Sequence, residues 1–185
     1  MTLNTVQTIL EEIQSVLGRV DDHAIDRFAQ ALIGARRIFV VGEGRSGFMA
    51  KSFAMRLMHL GAAVYVVGET ITPALAKGDA IVAVSGSGTT ASVLSASAKA
   101  RELGAAVAAV TTDDASKLAH LADVVLHVPA ATKYRREGET RSAQPLGSLF
   151  DQCAHLLLDG VCLRYSALTG ADHAAAFGRH SNLEQ

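Results

Sequence analysis

The chain has 185 residues, 49% of them hydrophobic and 19% charged, which is enough apolar material for one core and too little length for two. Its formal net charge of -1 supplies no field for nucleic acid or an anionic membrane, even with seven histidines, so neither is expected as a partner and any bound anion must be held locally. No apolar run approaches the roughly 20 residues of a membrane span, and Met1 to Leu17 lacks the basic start and apolar centre of a signal peptide, which predicts a soluble, cytoplasmic protein.

Leu3, Val6, Ile9, Leu10, Ile13, Val16 and Leu17 recur at three and four positions and predict an amphipathic helix stopped near Gly18. A second helix follows, capped by Asp21 or Asp22 and striped by Ile25, Phe28, Ala29, Leu32 and Ile33. Strands and helices then alternate: strand "RIFVVG", a helix from about Ser46 to His59, strands "AVYVVG" and "AIVAVS", helix "TASVLSASAKAREL", strand "AAVAAVT", a short helix near Ser116 to Leu121, and strand "DVVLHV". "PLGSLFDQCAHLLLDGVCLRY" predicts a last long helix begun by Pro145. Alternation of this kind predicts an α/β fold with a doubly wound, five-stranded parallel sheet in the flavodoxin-like order 2-1-3-4-5. The expected organisation is one domain over 1–185, with N-terminal helices over 1–35, an α/β core over 36–168 and a tail over 169–185.

Three segments need separate readings. Cys153 and Cys162 fall in one helical pattern, where nine positions at about 1.5 Å each separate them by roughly 13 Å, beyond the 7 Å or so a disulfide allows. They read as buried reduced thiols. "AATKYRREGETRSAQ", from Ala130 to Gln144, is a polar loop suited either to function or to plain solvation. The tail "AFGRHSNLEQ" has little to bury and is expected either to fray or to dock on another subunit.

Chemistry concentrates where the first and third strands end. "VVGEGRSG" passes from apolar residues into glycine and serine at the start of a helix, and "AIVAVSGSGTT" does the same. Glycines allow close backbone approach, hydroxyls donate hydrogen bonds, and helix N-termini favour negative charge, so each turn suits a phosphate. In a 2-1-3-4-5 sheet these two loops flank the topological switch point and serve one pocket. Gly42, Gly44 and Gly47 also match G-x-G-x-x-G, with Glu69 placed as a ribose-binding acid, but the second cradle argues for a compact phosphorylated ligand over a dinucleotide. There is no Walker motif, and the scattered histidines form no usual ligand spacing, so a metal-free pocket for one phosphorylated small molecule is expected.

The "GRSG" and "SGSGTT" turns resemble the two signatures of the sugar isomerase (SIS) fold. "MRLMHLGAAVYVVGETITPAL", "QPLGSLFDQ" and the terminal "RHSNLE" further resemble the 6-phospho-3-hexuloisomerases, from the first strand to the tail. The resemblance implies a cytoplasmic enzyme, usually a homotetramer, that converts D-arabino-hex-3-ulose 6-phosphate to fructose 6-phosphate without cofactor. This is the second step of the ribulose monophosphate route of formaldehyde fixation, coupled to hexulose-6-phosphate synthase. It also implies a phosphosugar site at Ser46, Ser85, Ser87 and Thr90 with Gly44 and Arg45 beside them, a catalytic histidine at His59 and a base at Asp151. Two residues depart from the family pattern: the family more commonly has glutamate where Asp151 stands, and a small residue where Glu43 stands between the loop glycines.

Moving the carbonyl from carbon 3 to carbon 2 needs a base for the carbon 2 proton and a group to shuttle oxygen protons. Asp151 or Glu69 suits the first role, and His59 or the tail's His180 the second. Plainer readings stand beside these: an acid at a helix start and a histidine at a helix end are stabilising for dipole reasons alone. The rival functions are another phosphosugar isomerase, acting on arabinose 5-phosphate or sedoheptulose 7-phosphate, a non-catalytic phosphosugar-binding protein, and a nicotinamide-binding module.

Overall fold

A parallel sheet carries the molecule, and the structure, a computed structural model, describes residues 4–183. Leu3 of the first helical stripe and Glu184 and Gln185 of the tail lie outside the described residues. In chain order the elements are α1 (Thr5–Leu17), α2 (Asp22–Ile33), β1 (Ile38–Gly42), α3 (Gly44–His59), β2 (Val64–Val66), β3 (Ala80–Val84), α4 (Ala91–Glu102), β4 (Ala106–Thr111), α5 (Lys117–Leu121), β5 (Val124–His127), α6 (Ser148–Thr169) and α7 (His173–Phe177). The sheet order is β2-β1-β3-β4-β5, all parallel, as the alternation predicts. Val40, at the middle of β1, pairs with Val66 on one side and Val82 on the other.

Every residue of β3 is buried, because helices cover both faces of the sheet, and this is why the strand reads as an unbroken apolar run. Ile38, Val40, Val82, Val84, Ala108 and Val110 face the layer built by α2, α3 and α6, where Phe28, Phe53 and Phe150 are buried. Phe39, Val41, Ile81, Ala83, Val107 and Ala109 face the other layer, where α4 contributes Val93 and Ala100 and α5 contributes Leu118. Each large apolar side chain buried in these layers contributes about 1.5–3 kcal/mol. Among the described residues, no helix is long and apolar enough to cross a membrane.

Several element ends differ from the sequence expectation. Helix α3 begins at Gly44, two residues before Ser46, because Gly44 takes a left-handed backbone angle (φ 56°) that turns the chain into the helix early. Helix α6 begins at Ser148 and not at Pro145: Leu146 has φ 53°, Gly147 is the N-cap, and Pro145 instead closes a turn by accepting from the Ser148 N–H. The same helix runs past Tyr165 to Thr169 and ends on Gly170 at φ 72°, a left-handed cap.

The polar loop between β5 and α6 is pinned from α1 and the turn that follows it. Glu12 accepts from Ala143 N, Ser142 Oγ and Gln144 Nε2, and Arg19 Nη2 donates to Pro129 O and Thr140 Oγ1. The tail folds into α7 behind an Asp172 cap and returns to its own chain, where Arg179 Nη1 donates to His59 O.

Candidate active site

The carboxyl ends of β1 and β3 are shaped by two close approaches. A Cβ on Gly47 would stand 2.7 Å from Gly42 O, so α3 lies directly against the end of its strand. In the second turn Gly88 sits at φ 62°, and a Cβ there would fall 2.2 Å from Ser116 Oγ, the cap of α5. Both turns are therefore fixed by packing from behind.

How the helices are capped locates the site. Helices α1, α2, α5 and α7 begin on Asn4, Asp21, Ser116 and Asp172, each of whose side chains accepts from a first-turn N–H. Helices α3, α4 and α6 begin on Glu43, Thr90 and Gly147 with no side-chain cap. Those three residues line a single cleft of about 430 Å³ at the carboxyl edge of the sheet. Three sets of first-turn N–H groups thus lack an intrahelical partner around one space, and three positive helix ends favour an anion there.

Gly44, Arg45, Ser46, Ser87, Thr90 and Asp151, all expected at the site, line this cleft together. Ser85 stands just behind it, buried, its hydroxyl sharing a 2.9 Å hydrogen bond with Thr90 Oγ1, so it fixes Thr90 and does not itself face the space. Ser87 Oγ accepts from the Thr89 N–H and hydroxyl. Asp151 is buried, and its two oxygens accept from Ser46 Oγ at 2.8 Å and Arg45 Nε at 3.2 Å. Glu43, unusual between loop glycines, turns away onto α4, where Ser92 Oγ donates to its Oε1 at 2.6 Å.

The remaining candidates stand elsewhere in the chain. Glu69 is exposed beyond β2, in a separate groove with Lys51, Met55 and Thr72. His59 ends α3, and at about 1.5 Å of rise per residue it lies roughly 20 Å from Ser46. There its ring stacks on His180 with centroids 5.3 Å apart and 14° between planes. Its Nδ1 is buried without a hydrogen-bond partner. Burial first, then the neighbouring Arg56 and His180, hold the His59 imidazole below its usual pKa, so it is neutral near pH 7. Within one chain, then, the structure joins the phosphate candidates to Asp151 and separates both from the two histidines. The cysteines are buried on α6, with burial pushing both thiols up to about 12, as suits inert core residues.

Residue-by-residue reading passed over Thr132, Lys133 and Phe150, which also line the cleft. The signal that could have found Lys133 was a cation in the loop that follows the last strand at the sheet's ligand edge.

The SIS domain family matches residues 31–156 of the chain. A 3-hexulose-6-phosphate isomerase of Bacillus subtilis (strain 168) is 40% identical over 183 residues, covering 99% of this chain and 99% of that protein. A protein of the same name from Mycobacterium gastri is 38% identical over 181 residues, covering 98% of this chain and 90% of that one. The crystal structure of a Methanococcus jannaschii protein, from which a molecular function of 3-hexulose-6-phosphate isomerase was inferred, superposes with a TM-score of 0.81 at 30% identity, covering 96% of this chain and 98% of the other.

Proposed function

Since this chain belongs to the SIS domain family and, within it, to the 3-hexulose-6-phosphate isomerases, we propose that it interconverts D-arabino-hex-3-ulose 6-phosphate and D-fructose 6-phosphate. The observation that carries the reading is the convergence of three uncapped helix N-termini with Ser46, Ser87 and Thr90 on one cleft, an arrangement suited to a phosphate. Identity to named isomerases along nearly the whole chain favours the hexulose over other phosphosugars.

The phosphate is held by the hydroxyls of Ser46, Ser87 and Thr90 and by the N–H groups of the turn through Gly44 and Arg45, with Ser85 holding Thr90 in place. Ring closure on the 3-ketone would need the oxygen at carbon 6, which is phosphorylated, so the sugar binds open-chain. Asp151 takes the proton from carbon 2, the electron pair moves into an enediolate spanning carbons 2 and 3, and a proton returned to carbon 3 leaves the carbonyl on carbon 2. When the phosphate accepts from Ser46, the Asp151 oxygen to which Ser46 donates is released for that proton.

His59 and His180 serve the oxygens, and because they stand far from their own cleft, they serve a neighbouring subunit's. The reading therefore extends to a cytoplasmic homotetramer, one folding unit per chain, in which the end of α3 completes the site of an adjacent copy. Phe48 and Met55 on α3 and Ile71 after β2 support it, since they leave an exposed apolar face along that helix. The enzyme acts on the product of a hexulose-6-phosphate synthase.

The test couples purified protein to such a synthase and measures fructose 6-phosphate. Protein-dependent formation is expected. Turnover of arabinose 5-phosphate or sedoheptulose 7-phosphate with the hexulose phosphate left intact would reject the substrate.

A further inference from the structure

The charged side chains that line the cleft cancel, so a phosphosugar's negative charge is met only if one of the cations is free to meet it. Two carboxylates, Glu43 and Asp151, and two cations, Arg45 and Lys133, line it, whereas a phosphate monoester brings about -1.5 to -2 at pH 7. Arg45 is shared with a carboxylate, its Nε on Asp151 Oδ2 at 3.2 Å. Glu43 is held by a neutral hydroxyl, that of Ser92, and brings no cation with it. Lys133 is different: among the described residues it enters no ion pair, and its ammonium rests over the Tyr134 ring, 5.1 Å from the centroid. A dianion beside the Asp151 carboxylate binds poorly unless a free positive charge reaches it.

The loop that carries Lys133 is built as a mount. Glu139 accepts from Thr132 N at 2.8 Å and from Thr132 Oγ1 at 2.7 Å, which closes the segment that carries Lys133. Arg19 holds Pro129 and Thr140, and Glu12 holds Ser142 to Gln144, so the chain on both sides of that segment is tied to α1 and the turn that follows it. A solvated surface loop has no need of two carboxylates and a guanidinium fixing its main chain. Lys133 lines the cleft from the segment between β5 and α6, while the hydroxyls come from the turns after β1 and β3.

We infer that Lys133 is the cation that binds the substrate phosphate, and that Glu139 is a positioning residue that acts on it through Thr132. The inference rests on the isomerase reading for the identity of the sugar, but only on the cleft's charges for the anion. A lysine provides a compact charge with three donors on a flexible stem, suited to following a phosphate into place.

Steady-state kinetics on hexulose 6-phosphate and calorimetric binding of inorganic phosphate, without sugar, test it together. Lys133→Met should raise KM by about ten- to a hundredfold and weaken phosphate binding in parallel, with a smaller fall in kcat, while Lys133→Arg should recover most of both. Glu139→Gln, which keeps shape and loses charge, should raise KM in the same direction by roughly three- to tenfold, with kcat nearly held. Unchanged KM and unchanged phosphate affinity in folded Lys133→Met would overturn the assignment, and so would failure of the wild type to bind phosphate at all. If the wild type binds phosphate but does not turn over the hexulose, the isomerase reading fails while the phosphate comparison still decides Lys133.

Discussion

A carboxylate in a phosphosugar site can organise the anion's ligands or take a proton from carbon, and Asp151 is positioned for both. It holds Ser46 and Arg45 by hydrogen bonds while its own side chain is almost fully buried. The two roles separate experimentally. As the base, Asp151→Asn should lose about a hundred- to ten-thousandfold in kcat while inorganic phosphate binds nearly as before, because Ser46 donates to the bound anion and not to residue 151. As an organiser only, the same variant should lose phosphate affinity and keep exchanging the carbon 2 proton with deuterated solvent at the wild-type rate. We expect the first pattern, with exchange abolished. The residue scale is also where the sequence was least sufficient. The hydroxyl turns announce a phosphate through their composition, but Asp151 looks like any acid in a first helical turn, and only the family resemblance of "QPLGSLFDQ" marks it. Lys133 is one cation in a polar loop, and its value lies in hydrogen bonds made by Glu139, Glu12 and Arg19, none of which has a local pattern.

At the scale of elements, the sheet was legible because continuous apolar runs such as "AIVAVS" occur where both faces are covered. Its order follows from strand-helix alternation together with the two ligand turns. The start of α6 was not legible, since a leucine at φ 53° has no composition signal and Pro145 reads as a better helix opener than Gly147. Nor did sequence disclose the staple between β1 and β3. Asp79, just before β3, is fully buried and accepts from Arg37 Nη2 at 2.6 Å and Nε at 3.1 Å, from Arg36 Nε at 3.3 Å and from Ala76 N at 2.9 Å. The Arg37 hydrogen bonds hold its carboxyl below the ordinary carboxylate range. A carboxyl depressed in the folded state contributes stability that is complete above its unfolded pKa of about 3.9 and is lost as pH falls through the lower folded value. Arg37 keeps 23% of its side chain in water, so Asp79→Asn should cost less than breaking a fully buried pair, about 2 kcal/mol in urea unfolding at pH 7. The gap between variant and wild type should close below about pH 4. A gap of the same size at pH 3 would assign the loss to packing and not to charge.

For the molecule as a whole, the distance from cleft to histidines decides how many chains make a site. One straight helix cannot bring Ser46 and His59 to the same small sugar, because α3 puts roughly 20 Å between them. A homotetramer related by closed symmetry can, if the exposed face carrying Phe48, Met55 and Ile71 seats the end of one α3 near another copy's cleft. The neutral His59, buried but without a partner for Nδ1, then has a use that its own subunit does not offer. Complementation tests this directly. Asp151→Asn and His59→Ala are each expected to be nearly inactive alone. Unfolded together and refolded as mixed oligomers, equal amounts should regain about a quarter of wild-type activity under shared sites, because one random pairing in four joins an intact Asp151 to an intact His59. Sites made within one chain would regain nothing, since every chain carries a defect. A mixed sample that stays as inactive as its components, although size measurement shows hybrid tetramers, would therefore remove His59 from the chemistry of a neighbour and return it to a structural place at the end of α3, stacked on the tail.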